Sequence, residues 1–536
     1  MNKTHEPSWL AQAVFYEIYP ASFRDSNGDG IGDIAGMISQ LDYLRRLGVN
    51  ALWINPWYVS SFRDGGYDIT DFMRPDPRYG TLAEARNFFR EAHRHGIRVV
   101  LDLVAGHTSL EHPYFQESCR GTGSRHQDFY IWNPNSVYRG TAEQYYIAGL
   151  FPRGSYCANF FASQPAINYG FNKVENSWEM SCDHPACRAN REWLISVMRY
   201  WLDLGCDGFR VDMASSIIKR DPGFEKTSQF WQSVRTLFDR EYPEAVLLAE
   251  WFMPERSLAA GFHLDFVPPS GLFRNDSWSC SPIFSGEILF SAATKKNDGK
   301  WLDGYRKLCD VCNPAGLCLF SGTHDQWRLS YFGSDRETMV KLAFMTALPA
   351  PPFFYYGDEI GMRHLVGVAV EGSASRGGAR TPMQWDHSRN FGFSTAAPEK
   401  LYLPTDSAAG APTVEDALAG RNPLFTTVRE LIRLRREHPA LGGDGALELD
   451  CPENYPLRVT RRLAGETIFA AFNPSGETVS FPLPGTWETL LTRGVVRKNE
   501  MLLLEPVSFI FLRKAASQPG GRCMTCDCPG SPAGKL

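Results

Sequence analysis

Eight short apolar runs, each separated from the next by a longer stretch, restrict this chain more than any other feature of its sequence. They cover residues 14–18, 51–54, 97–104, 208–211, 246–249, 264–266, 317–320 and 352–356. A strand that is apolar along both faces must be buried on both, which is the situation of parallel strands covered by helices. The intervening stretches read as those helices. Between the first two runs, Ile34, Ile38, Leu41, Leu44 and Leu47 recur at helical spacing, and Gly48 closes the helix. Ahead of the third, Thr81 and Glu84 make a capping-box pattern before Leu82, Ala85, Phe88 and Phe89. Repeated strand–helix units imply right-handed crossovers, and eight of them predict an α/β fold closed as a (β/α)8 TIM barrel rather than an open doubly wound sheet.

At 536 residues the chain exceeds what one hydrophobic core organises, and two departures from the rhythm divide it. Residues 108–178 carry aromatics, Gly, Pro and Asn with no clear strand–helix unit. A stretch of that length is expected to be an inserted lid domain, placed after strand 3 and over the catalytic face. After residue 441 the texture changes to short alternating runs, such as 467–472 and 507–512, which predict a C-terminal antiparallel β-sandwich domain. The barrel therefore occupies 1–107 and 179–440, the insertion 108–178, the β domain 441–513 and a Gly/Pro/Ser-rich tail 514–536.

Composition narrows the partners. A net charge of −5 gives no reason to expect nucleic-acid or acidic-membrane binding. No run of about 18 apolar residues suggests a membrane span, and the first ten residues lack a secretory signal. With an odd count of 13 cysteines, these features predict reduced thiols in a cytoplasmic protein. Cys523, Cys526 and Cys528 could bind a metal, but no second ligand pair follows, so a disordered tail is expected.

In a barrel of this kind the reactive groups lie at the carboxyl ends of the strands. The third run ends in Asp102…His107, the fourth in Arg210-Val-Asp212, the fifth in Glu250 and the seventh in His324-Asp325. One acidic residue after a strand is commonly a helix N-cap. Four acidic ends, each with His or Arg beside or near it, suit glycoside hydrolysis instead. One carboxyl must protonate the leaving oxygen while another, about 5–5.5 Å away in a retaining enzyme, meets the anomeric carbon. Arg210 lies two residues before Asp212, on the same side of an extended strand, and can hold that carboxylate ionised.

Asp102…His107, Gly208-Phe-Arg-Val-Asp212, Glu250 and His324-Asp325 resemble, in order, the four main signature regions of glycoside hydrolase family 13, the α-amylase family. The resemblance implies Asp212 as nucleophile, Glu250 as general acid/base and Asp325 as the third carboxylate. It places Arg210, His107 and His324 in one glucose subsite, with Tyr67 as stacking platform. Gly66-Tyr-Asp68, Tyr356-Gly-Asp-Glu-Ile-Gly-Met362 and Arg380-Thr-Pro-Met-Gln-Trp385 resemble oligo-α-glucosidases and trehalose synthases. Those enzymes act at the non-reducing end of short α-glucosides, and Asp68 and Arg376 match the pair that closes the pocket behind the terminal glucose. A guanidinium grip on hydroxyls, backed by a carboxylate, gives exo action a physical basis.

Asp25, Asn27, Asp29, Ile31 and Asp33 offer oxygen ligands at alternate positions, with glycines where the chain turns. They predict a structural Ca²⁺, against the alternative of an acidic hydrogen-bonded turn. Four positions depart from the family pattern: Gly106 and Thr323 stand where Asn is usual, Ala166 replaces an acid, and Met213 follows the nucleophile. The expected activity is retaining cleavage of α-glucosidic bonds in short oligosaccharides. The alternatives are a trehalose synthase-type isomerase, an endo-acting amylase and, remotely, a silent accessory module. Oligomeric state is not readable.

Overall fold

The computed structural model describes residues 5–121, 123–138, 140, 144–267, 300–373, 375–450, 452 and 455–515; the tail with Cys523, Cys526 and Cys528 lies outside them. Each of the eight apolar runs forms a strand. They are β1 (Phe15–Ile18), β2 (Ala51–Ile54), β3 (Arg98–Val104), β4 (Gly208–Asp212), β5 (Val246–Ala249), β6 (Leu264–Phe266), β7 (Leu317–Cys318) and β8 (Phe353–Tyr355). All neighbours are parallel, in the order β7-β6-β5-β4-β3-β2-β1-β8, and a parallel bridge between Phe320 and Phe353 joins the two ends. The result is a TIM-like barrel.

The runs are apolar on both faces for two separate reasons. Phe15, Trp53, Val100, Leu248, Leu264 and Phe353 pack together inside the barrel. Their neighbours Val14, Tyr16, Leu52, Ile54, Val99 and Leu101 belong to the layer between barrel and helices. Register then aims the polar strand ends: Asp102 is the direct partner of Arg210 across β3 and β4, and Leu248 of β5 flanks Arg210 on the other side.

The helix Leu82–Arg94 starts in a capping box with both reciprocal bonds in place. The segment after β1 differs from the single helix its spacing predicts. It forms Ile34–Ser39, capped by Asp33 accepting from the Gly36 N–H, and Leu41–Leu47, with Gln40 between them outside helical geometry. The apolar face continues across the break, which is why periodicity did not register it.

Within 108–178 the chain is more ordered than its composition indicates. A short helix, Pro113–Ser118, precedes a three-stranded antiparallel sheet of Trp132–Asn133, Tyr145–Phe151 and Gly154–Ala158, with the last strand central. Strands so short, one of them with a register irregularity, leave no legible alternation. A bridge between His107 and Ala166 seats the insertion on the end of β3.

After the helix Pro423–Glu437, six strands from Ala446–Asp450 to Met501–Lys514 form an antiparallel sheet domain. The buried Arg435 and Arg461 clamp it to the barrel by donating to main-chain carbonyls, including those of Leu348, Leu441 and Gly442. Among the described residues, no helix is long and apolar enough to cross a membrane.

Candidate active site

One guanidinium organises the carboxyl end of the barrel. Arg210 Nη1 lies 2.8 Å from Asp102 Oδ1 and 3.1 Å from Asp212 Oδ1, while Nη2 lies 2.8 Å from Glu250 Oε2. The guanidinium sits 5.1 Å over the Trp53 ring, which also donates its indole N–H to Asp102 at 3.1 Å. Alternation along β4 puts Arg210 and Asp212 on one side, so a single cation reaches carboxylates from three adjacent strands. Met213, in the left-handed region at φ 42°, turns its N–H onto Glu250 Oε2 at 2.9 Å.

Burial pushes the carboxyls of both Asp212 and Glu250 above their ordinary range, and Arg210 opposes it. Glu250 adds further to the rise of Asp212, so the pair releases its protons in separate steps. Glu250 has the better contacts for a charge, with Arg210 Nη2 at 2.8 Å and the Met213 N–H at 2.9 Å.

Asp325 follows the opposite course. Against its burial, the guanidiniums of Arg376 and Arg380 hold its carboxyl well below the usual range. Arg380 Nη2 lies 2.9 Å and Arg376 Nε 3.2 Å from Asp325 Oδ1. The approach of Arg380 requires a residue without a side chain at position 65. A Cβ on Gly65, whose φ is +56°, would stand 2.4 Å from Arg380 Nη1.

Asp212, Glu250 and Asp325 face one cavity, together with Tyr67, His107 and Arg376. Tyr67 stacks on His324 with ring centres 5.2 Å apart, and its hydroxyl meets Asp102 Oδ2 at 2.9 Å and His324 Nε2 at 2.7 Å. His107 Nε2 lies 3.0 Å from the Tyr67 carbonyl, and burial brings its pKa down to about 4, leaving it neutral.

Asp68 does not stand where it was expected. Its carboxylate is fully buried beneath the loop, accepting from the Ser60 and Ser61 hydroxyls and from the N–H groups of Arg63 and Asp64. The carboxylate paired with Arg376 is Asp64, at 3.4 Å, which lines the cavity and accepts from Gln164 at 2.7 Å. Burial lifts Asp64 to about 7, with Arg376 and Arg380 opposing. Two acids four residues apart in one glycine-rich loop offered no signal to choose between them.

Other members were missed as well. Phe160 and Gln164 bring the insertion to the cavity wall. Asn159 explains Gly106: a Cβ there would lie 2.5 Å from Asn159 Nδ2, so the lid supplies the amide that the strand end lacks. Asn159 in turn accepts from Lys219 Nζ at 2.9 Å. Thr323 accepts the Asp325 N–H at 3.2 Å, serving the turn. Glu17 and Asn55 meet His324 from behind the cavity. A Glu within the otherwise apolar first run was the one available sign of that contact.

The loop from Asp25 to Asp33 is a chain of short bonds. Asp25 Oδ1 accepts from the Asn27 N–H at 3.0 Å, Asn27 Oδ1 from Asp29 at 2.9 Å and Asp29 Oδ1 from Ile31 at 2.9 Å. Its side-chain donors are all oxygen, as a hard cation needs. Among the described residues, no three His, Cys, Asp or Glu gather as a metal site.

Comparison with known proteins agrees with this architecture. The trehalose synthase/amylase of Mycobacterium tuberculosis is 32% identical over 534 residues, covering 89% of this chain and 83% of that protein. The oligo-1,6-glucosidase of Parageobacillus thermoglucosidasius is 30% identical over 562 residues, covering 89% of this chain and 92% of that protein. A crystal structure of an α-glucosyl transfer enzyme superposes with a TM-score of 0.76 at 25% identity, covering 95% of this chain and all of that one. A trehalulose synthase variant does so with a TM-score of 0.77 at 25% identity and the same coverage of this chain. Residues 17–444 match the α-amylase catalytic domain, and on that match, with eight parallel strands carrying the site at their carboxyl ends, the chain belongs to the α-amylase family of glycosidases.

Proposed function

We propose that this protein cleaves α-glucosidic bonds at the non-reducing end of short α-gluco-oligosaccharides, with retention, through a glucosyl ester on Asp212. The observation that carries the reading is the double grip of Arg210 on Asp212 and Glu250, which holds the two carboxyls beside one cation at the cavity. Protonated Glu250 gives its hydrogen to the glycosidic oxygen as the C1–O bond breaks, and an Asp212 oxygen bonds to C1. Ionised Glu250 then takes a proton from water, whose oxygen attacks C1 and frees Asp212. The first step needs the proton on Glu250. Positive charge developing at C1 favours an ionised Asp212, and the incoming glycosidic oxygen gives Glu250 an acceptor. Asp325, kept ionised between two guanidiniums, holds sugar hydroxyls alongside His324. Arg376 and Asp64 close the far wall, which supports exo action over endo cleavage.

A second reading has the released glucose, rather than water, attack C1, giving an isomerase. Phe160 and Gln164 favour it, because they bring the lid against the pocket and restrict water; relatives named trehalose synthase lend further support. Incubation with maltose separates the two. Free glucose as the main product supports hydrolysis, mainly trehalose supports the isomerase, and no reaction with any α-glucoside sinks both.

We also propose a structural Ca²⁺ held by Asp25, Asn27, Asp29, Asp33 and the Ile31 carbonyl, supported by their alternate spacing. It would stiffen a turn that hydrogen bonds already close, and it takes no part in the chemistry. The cysteines support a cytoplasmic location, since those among the described residues are free thiols.

A further inference from the structure

Behind the cavity, near the carboxyl end of β1, Glu17 is a buried carboxyl in a strand otherwise made of Phe15, Tyr16 and Ile18. Its Oε1 lies 2.7 Å from His324 Nδ1 and accepts from Asn55 Nδ2 at 3.1 Å, while Oε2 has no partner. Across the imidazole, Nε2 stands 2.7 Å from the Tyr67 hydroxyl and 3.5 Å from Asp325 Oδ2.

Counting hydrogens decides what this arrangement holds. Tyr67 has one hydroxyl hydrogen, which it donates to Asp102 Oδ2, 2.9 Å away on a carboxyl gripped by Arg210. Tyr67 therefore accepts from His324, and a bare Nε2 lone pair would in addition face the Asp325 carboxylate. Nε2 carries a hydrogen. A neutral imidazole protonated there has a bare Nδ1, which cannot sit 2.7 Å from a bare carboxylate oxygen. One more proton must lie between them. Glu17 as the acid donating to Nδ1, and an imidazolium donating to the Glu17 carboxylate, are two descriptions of the same proton count.

We propose that Glu17 and His324 share one proton, and that Glu17 is a positioning residue which, through it, keeps His324 an Nε2–H donor to the Tyr67 hydroxyl and so fixes the cavity-lining Tyr67 ring. This rests on the reading of the cavity as a glucose pocket. Burial raises the Glu17 carboxyl well above the usual range and takes His324 well below its own, so the proton resides mainly on Glu17. The groups facing the pair are Arg210, Asp325, Tyr67, Tyr355, Arg376 and Arg380. Loss of the shared proton would leave a Glu17 carboxylate accepting from Nδ1–H, with Nε2 bare and its donor function gone.

The test combines nitrogen NMR of protein labelled with ¹⁵N-histidine, the His324 signals assigned with H324Q, and kinetics of E17Q and E17L on maltose. Expected are a protonated Nε2 at neutral pH and a fall of at least tenfold in kcat/KM for E17L, carried mainly by KM. In E17Q, whose amide N–H can donate to Nδ1, most of that loss should be recovered with Nε2–H intact. A bare Nε2 in the wild type would overturn the proposal, as would E17Q behaving no better than E17L. If E17L does not fold, the wild-type tautomer and E17Q decide. If the protein acts on no α-glucoside, the functional reading fails while the NMR arm still settles the proton.

Discussion

Arg376 reaches Asp64 with Nη1 at 3.4 Å and Asp325 with Nε at 3.2 Å, so one side chain joins the pocket wall to the third carboxylate. Losing either partner leaves a buried charge poorly matched, at a cost of about 1–3 kcal/mol, roughly a five- to hundredfold rise in KM. D64N and R376K are expected to raise KM for maltose and isomaltose by amounts in that range, with less effect on kcat. D68N should act differently, lowering Tm by weakening the loop's internal bonds while changing KM little. Steady-state kinetics beside thermal melts distinguish them, and a KM defect in D68N without one in D64N would return the role to Asp68.

The two central carboxyls are separable by leaving group. Removing a general acid typically costs about 10²–10⁴-fold in rate. E250Q should lose activity on maltose within that range and far less on an aryl α-glucoside whose phenolate leaves unaided. D212N should lose both, with its circular dichroism spectrum retained. Undiminished turnover in D212N would require another nucleophile.

Acidity follows from the same pair. Activity needs one proton shared between Asp212 and Glu250: with two the nucleophile is lost, with none the acid is lost. Burial raises both carboxyls above the ordinary values of 3.8 and 4.5. The acid limb of kcat/KM is therefore expected above that range, with an alkaline limb as the last proton leaves. Asp325, held low, contributes no limb at higher pH. A kcat/KM profile flat from pH 4 to 9 would contradict the shared proton.

The barrel was legible because its strands are apolar on two faces, a pattern that few other folds impose. The gathering of Asp212, Glu250 and Asp325 around one cavity was legible because all three follow such strands. What escaped lies where contacts join loops of no fixed period. Asp64 and Asp68 share one turn, and only the turn's own hydrogen bonds decide which points inward. Asn159 fills the space beside Gly106 from a lid whose short strands have no readable alternation. The break at Gln40 leaves the apolar face unbroken, so spacing alone could not reveal it.

Calcium at the Asp25–Asp33 loop is expected to add to a turn that stands without it. Asp33 already accepts from Ser26 and Gly36, and Asp25 from Gly30. Chelation should lower Tm by a few degrees without unfolding the protein, and millimolar Ca²⁺ should restore it. A mass-action gain of about 2.7 kcal/mol applies at a hundredfold excess over Kd. The same titration on D29N should show a weakened response. Equal melts with chelator and with Ca²⁺ would identify the loop as a self-sufficient acidic turn.

Water access is the last variable, and Phe160 is the place to change it. It projects from the lid, 38% exposed, with the Arg376 guanidinium 5.9 Å above its ring. On the far side of the same wall, Gln164 holds Asp64. The glucosyl ester partitions between water and a sugar hydroxyl according to which occupies the pocket beside C1. F160A removes the aromatic cover without touching a carboxylate, so ester formation should persist while water gains entry. The expected result on maltose is a higher ratio of free glucose to transfer product, at a kcat within a few fold of the parent. An unchanged ratio would show that the lid does not govern the acceptor, and the choice between hydrolysis and isomerisation would then rest on the affinity of the pocket for the departing glucose.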